Sequence, residues 1–342
     1  MKKIISILLV LVMALGMLAL VGCNKTNNDP AATTATTAAP QSDAKLKLGF
    51  GVVTSVSATD ATAAAAGKGT MTATVAAVLV DADGKIVKSV IDCADYSVEY
   101  DAEGKAKTNE EFKTKLEQGD AYGMKSEYGS KREWYEHVDA FCKLTEGKTI
   151  AEVKALVAAD YKGTADVQAA GCTIYVSDFA KAIEEAASNA KASDATVANT
   201  LKIGVVTTQT ATNATAAAAG SNKLETYFCA AATDADGKIV AAISDCLEVD
   251  FTFDATGKST FDATKEVKTK REQGDAYGMK SEYGSKREWY EHADAFDSQC
   301  IGKKASDIAG LMGADYKGNS DVQSAGCTIY VSGFVKAASK LA

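Results

Sequence analysis

After residue 45 the chain moves from one apolar spacing to another. Residues 47–57 and 70–80 are rich in Val and Thr, and "TATVAAVLV" (72–80) alternates in part with period two, which predicts strands. "DADGK" (81–85) reads as a tight turn, with a strand predicted over 85–92, another over 96–100, and a further turn at "DAEG" (101–104). Then the period lengthens. In "EEFKTKLEQ" Phe112 and Leu116 lie one helical turn apart, and "KREWYEHVDAFCKL" puts Trp134, Val138 and Phe141 on one stripe. "TIAE" (149–152) fits a capping box, with Thr149 as N-cap and Glu152 reaching back. A short strand "CTIYV" is predicted to lead to Ser177 as N-cap of the helix "DFAKAIEEAASNA". Strands first and helices afterwards predict the α+β class, a curved antiparallel sheet with helices packed on it.

The pattern occurs twice. "LKLG" (46–49) returns as "LKIG" (201–204), "DADGKIV" (81–87) returns at 234–240, and "GCTIYVS" (171–177) returns at 326–332. The shift of 153 to 155 residues is a domain duplication, far longer than a solenoid period. One block, "QGDAYGMKSEYGSKREWYEH", is identical at 118–137 and 273–292 while its surroundings have drifted. Such identity reflects either recombination between the copies or a surface both copies need. The Asp-rich turns lack the remaining ligands and terminal Glu of an EF-hand, so they read as hairpin turns.

The N-terminus sets the location. Lys2 and Lys3 precede an apolar run that ends in "LVGC" (20–23), which has the layout of an export signal. It resembles the lipobox of bacterial lipoproteins, in which the cysteine, here Cys23, is lipidated after cleavage. The expected organisation is a signal peptide at 1–22, a flexible tether at 23–45 holding both prolines, a first domain at 46–190, a linker at 191–200 and a second domain at 201–342. The expected place is the extracytoplasmic face of the cell membrane, held by lipid on Cys23. Loss of Lys2 and Lys3 takes the formal charge from −8 to −10. An acidic chain without a basic cluster argues against nucleic acid as a partner.

The end of each copy, "AGCTIYVSDFAKAI" (170–183) and "AGCTIYVSGFVKAA" (325–338), resembles the C-terminal signature of the FMN-binding domain family. Members include the C subunit of sodium-translocating NADH:quinone reductase and flavinylated bacterial lipoproteins. Gly171, Thr173, Phe179, Lys181, Ala182 and Ile183 fall on that signature, as do Gly326, Thr328, Phe334, Lys336 and Ala337. The identical block resembles the family's upstream glycine segment and Trp-containing helix, with Trp134 and Trp289 at the aromatic position and His137 and His292 where the family often has Gln. The resemblance implies FMN as cofactor and a membrane redox donor as partner. It implies a site in each copy: Tyr122, Gly123, Met124, Trp134, Gly171, Cys172 and Thr173, and then Tyr277, Gly278, Met279, Trp289, Gly326, Cys327 and Thr328. Two departures argue against a phosphoester to Thr173 or Thr328. Cys172 and Cys327 replace an alanine of the motif, and the acids Asp166 and Asp321 lie seven residues upstream instead of six.

The residues themselves are compatible with a flavin without requiring it. "AYGMKSEYG" offers aromatic and thioether surface for a flat ring, and "TIYVS" leads to a helix N-terminus suited to phosphate. The competing reading makes Trp134 and Trp289 core residues of an amphipathic helix. Beyond Cys23, seven cysteines remain. Cys93 and Cys172 recur as Cys246 and Cys327, which in an exported protein suggests one disulfide per copy; buried reduced thiols are the equal alternative. Two histidines, His137 and His292, give zinc or haem little to bind, and no nucleophile elbow or P-loop is present. The expected function is electron transfer by a flavin-binding surface lipoprotein, with no catalytic residues. The alternative is a ligand-binding or structural lipoprotein that kept the fold and lost the flavin.

Overall fold

The computed structural model describes residues 43–109 and 111–341. Cys23, the signal peptide at 1–22 and most of the tether lie outside those residues. Among the described residues no helix is long and apolar enough to cross a membrane.

Each half is α+β. In the first, β1 (Lys47–Thr59), β2 (Gly67–Val80) and β3 (Ile86–Tyr100) form an antiparallel meander, and the short β4 (Lys191–Ala192) pairs with the start of β1. The helices follow: α1 (Lys115–Gln118), α2 (Trp134–Thr145), α3 (Ile150–Lys154), α4 (Ala165–Ala170) and α5 (Ser177–Ser188). The second half repeats the meander as β5 (Thr200–Thr212), β6 (Gly220–Thr233) and β7 (Ile239–Phe253). Its helices are α6 (Lys270–Gln273), α7 (Trp289–Cys300), α8 (Ser320–Ala325) and α9 (Ser332–Ser339), with a 3-10 turn at Ala305–Leu311 in the place of α3.

The near-continuous apolar run of β2 has a physical cause: both faces of the strand are covered. Met71, Ala73, Val75, Ala77 and Leu79 face a core shared with Leu224, Phe228, Ala230 and Ala232 of β6. Ala76, Val78 and Val80 face the helices of their own half. The two sheets therefore pack face to face, and each carries its helices on the outer side. Phe50 meets Phe228 at 5.7 Å, and Tyr100 stacks on Phe253 at 4.1 Å with the rings 7° apart. Backbone also crosses between halves, Ala61 N–H to the Gly257 carbonyl (2.7 Å) and Ala214 N–H to that of Gly104 (2.8 Å). Both halves belong to one compact unit.

Four local expectations need correction. The strands predicted at 85–92 and 96–100 are one strand, because Asp92 at the expected break is buried with its carboxylate accepting the N–H groups of Cys93 (2.7 Å) and Leu116 (3.2 Å). Phe112 and Leu116 do not share a helix: Thr114 and Glu117 close a capping box that starts α1 at Lys115. Phe112 instead packs edge-on to Tyr96 (4.9 Å). "CTIYV" is not a strand. Cys172 N–H bonds to Val167 at the end of α4 and Val176 N–H to Tyr161 in a loop, so the segment has one β-bridge, at Tyr175. Ser177 is the first helical residue of α5, and Val176 holds the N-cap position. The Thr149–Glu152 capping box forms, and Trp134, Val138 and Phe141 are buried along α2.

Candidate functional site

The identical block is wired to itself. In the first half it runs from the end of α1 through a 3-10 turn (Gly119–Tyr122) and a loop into α2. Glu133, the N-cap of α2, accepts the N–H groups of Met124 (2.9 Å) and Lys125 (3.3 Å), and Tyr135 donates its hydroxyl to Asp120 (3.0 Å). The second half repeats two of these bonds, from the Lys280 N–H to Glu288 (3.4 Å) and from the Tyr290 hydroxyl to Asp275 (3.0 Å). Much of the block is thus held by partners inside the block, a packing reason for its identity. Tyr128 and Tyr283, the most exposed large hydrophobic side chains among the described residues, stand outside that reason.

His137 joins this block to the "GCT" segment. Its Nδ1 lies 2.9 Å from the Gly171 carbonyl and 3.3 Å from the Thr173 N–H, and its Nε2 lies 3.2 Å from the Ser130 hydroxyl. Burial lowers its pKa, which favours the neutral ring, and an Nδ1–H donating to the Gly171 carbonyl cannot also accept the Thr173 N–H, which lies beside it without a bond. Gly171 takes a left-handed conformation (φ 106°), and a Cβ there would lie 2.2 Å from the Arg132 guanidinium carbon. His292, Ser285, Gly326 and Thr328 reproduce the arrangement.

Beside this hub the first half holds a pocket of about 290 Å³. Tyr122, Met124 and Trp134 line it from the identical block, and Ile174, Tyr175, Asp178 and Phe179 from the far side. Thr72, Thr74 and Cys93 form its floor on the sheet, with Lys115 at the start of α1. The Lys115 ammonium lies 5.0 Å from the Tyr122 ring centre, 6.0 Å from that of Trp134, and 3.0 Å from Asp95. Burial works against that charge, yet with the Asp95 carboxylate beside it the pKa stays above the ordinary lysine value. Burial pushes the Cys93 thiol up to about 12, so it is a protonated thiol at neutral pH.

Of the residues expected to hold a cofactor here, Tyr122, Met124 and Trp134 line the pocket. Gly123 turns the loop between Tyr122 and Met124 with φ 79°. Gly171 serves the His137 hub, Cys172 is buried in the core beneath the helices, and Thr173 is exposed. None of these four lines the pocket. Thr72, Thr74 and Lys115 were not foreseen, while Asp178, read from the sequence as an acid opposing phosphate at the start of the last helix, lines the pocket. The signal for Thr74 was the aligned halves, where it corresponds to Tyr227, as Asp178 does to Gly333.

That difference changes the second half. Tyr227 rises from β6 and sets its ring edge-on to Phe334 at 5.5 Å and 88°. The ring lies over Gly333, where a Cβ would be 2.4 Å from two ring carbons. Tyr277, Met279 and Trp289 gather around Tyr227 in one apolar cluster, with Lys270 5.0 Å from the Tyr277 ring centre and 5.6 Å from that of Trp289. Gly278 turns its loop as Gly123 does, Gly326 serves the His292 hub, Cys327 is buried and Thr328 is exposed. The two segments converge as in the first half, but a packed tyrosine fills the space between them. Pairing of Cys93 with Cys172 or Cys246 with Cys327 is not found: all seven described cysteines are free and buried.

No family model and no solved structure matches the chain. Among curated proteins it is similar to the chlorophenol reductase of Desulfitobacterium hafniense, with 36% identity over 97 residues. The match spans 24% of this chain and 29% of that protein.

Proposed function

We propose that the chain is a lipid-anchored, extracytoplasmic electron-transfer protein whose first half binds the ring of FMN or a related flavin. The supporting observation is the convergence of the Tyr122–Met124 loop and the 174–179 segment on one pocket with a partly buried ammonium at its edge. Tyr122, Met124, Trp134 and Phe179 give the flat apolar surface a ring system needs. A volume of about 290 Å³ is at the lower end for a ligand site, enough for the ring and not for a whole nucleotide. The Asp178 carboxylate in the first turn of α5 opposes a phosphate there, so the phosphate tail belongs outside the pocket. A flavin would supply one- and two-electron redox chemistry. The chain's own part is to cover the ring, keep water from it, and favour its electron-rich form through Lys115.

The partial likeness to a protein named a reductase is in keeping with a redox role. Because Tyr227 occupies the equivalent space in the second half, the reading requires one flavin per chain rather than two. The test is titration of the chain lacking residues 1–22 with FMN, following fluorescence and absorbance through gel filtration. Quenching that saturates at one equivalent supports the reading. Fluorescence that never quenches, with no yellow colour retained, removes the flavin and leaves a binding lipoprotein. The anchor has its own test: Cys23→Ala should shift the full chain from the membrane to the soluble fraction.

A further inference from the structure

A second cleft, of about 700 Å³, lies between the halves and away from the flavin pocket. Glu185 of α5 lines it from the first half and Glu272 of α6 from the second. Glu185 accepts the Val52 N–H (3.2 Å) and Glu272 the Thr269 N–H (2.6 Å), and among the described residues neither carboxylate forms an ion pair. Of the cations lining the cleft, Arg271 pairs with Asp294 and Asp297, Lys191 with Asp294, and Lys268 with Glu266, itself in the lining.

The duplication shows what chemistry suits this place. Under the 155-residue shift Glu185 corresponds to Lys340 and Glu272 to Glu117. Local geometry agrees. A Cβ on Gly51 would meet the Glu185 Cβ; one on Gly204, which lies opposite Cys229 as Gly51 lies opposite Ala76 and so holds the same place in its sheet, would meet the Lys340 Cβ. At the opposite end of the same interface the Lys340 ammonium binds the Glu117 carboxylate. Glu117 and Glu272 are both third residues of capping boxes, so the acceptor is built identically on both sides. On one side the chain provides an alkylammonium for it; on the other it provides a second carboxylate and a cleft.

We propose that this cleft binds a primary alkylammonium group, whose charge is shared by Glu185 and Glu272 in the position that Lys340 takes beside Glu117. Tyr290 and Phe50, also in the lining, supply surface for the attached carbon chain. The site is independent of the flavin reading.

The test uses 1,4-diaminobutane as probe against the chain lacking residues 1–22, read by calorimetry and by amide shifts around Glu185. Binding near or tighter than about 1 mM is expected, weakened about tenfold or more by Glu185→Gln, whose neutral side chain keeps the shape. Glu185→Lys, which carries its own ammonium, should abolish binding and raise Tm by about 2 °C. Absence of binding at about 10 mM, unchanged affinity in Glu185→Gln, or preference for magnesium or calcium over the diamine would each overturn the proposal. Should Glu185→Lys fail to fold, Glu185→Gln decides alone.

Discussion

The two halves share a meander, a capping-box helix, a Trp helix and a histidine hub, yet the space between the Tyr-Gly-Met loop and the sheet is open in one and filled in the other. Two substitutions account for this. Thr74 becomes Tyr227 on the middle strand, and Asp178 becomes Gly333 on the terminal helix, clearing the volume the new ring needs. The change is coupled, because a side chain at 333 and a ring at 227 would collide. A duplicated fold can thus keep its scaffold while one copy closes its pocket with its own side chain.

Transplanting that pair gives the largest expected effect. Thr74→Tyr with Asp178→Gly should cost the first half about 100-fold in FMN affinity, read by fluorescence quenching. The reverse change, Tyr227→Thr, should open a second ring site, raise the stoichiometry from one to two, and destabilise the fold by about 3 kcal/mol in urea unfolding. Thr74→Tyr retaining full FMN affinity would place the ring somewhere else.

Much of the fold was legible because period-two and period-3.6 segments were separated by Asp-Gly turns, and because the repeat doubled each signal. The stripe of Trp134, Val138 and Phe141 and the Thr149 cap followed from local rules. What could not be read was tertiary. Burial of the second sheet face requires knowing that another sheet covers Met71, Val75 and Leu79. "CTIYV" has strand composition, but its donors are taken by Val167 and Tyr161, partners that sequence spacing does not reveal. The loop residues Tyr122 and Met124 were foreseen from their chemistry. Lys115 and Thr74 were not, because a lysine at a helix start and a threonine in a strand look like ordinary surface.

A second divergence lies at the start of the capping-box helix. Ile91, Leu116 and Cys142 of the first half correspond to Ser244, Arg271 and Asp297 of the second, so an apolar trio becomes a polar one. Arg271 bonds Asp297 (3.1 Å) and Asp294 (2.8 Å), and Asp297 accepts the Ser244 N–H (2.9 Å). Breaking such a network is costly because charge and N–H lose partners out of water. Asp297→Ala should therefore destabilise by about 3 kcal/mol. Cys142→Ala at the matching position should cost about 1 kcal/mol, a packing loss alone. Equal losses in the two variants would mean that the polar trio is solvated rather than buried.

The smallest effect concerns the charge reversal between Glu185 and Lys340. Burial first, and then the Glu272 charge, push the Glu185 pKa up to about 7 against the opposing Val52 N–H. The ordinary glutamate value is 4.5, so between that pH and about 7 the folded chain holds a proton that the unfolded chain has released. Its contribution is therefore fully present below pH 4.5 and is lost as pH rises through about 7. For a half-buried carboxylate, discounted for solvent screening, the loss should be on the order of 1 kcal/mol. Glu185→Gln should remove that slope from urea unfolding measured between pH 5 and pH 8, while Lys340→Gln should leave it in place. A slope that survives Glu185→Gln would belong to another buried acid, with Asp245, which burial pushes up to about 6, the first to replace.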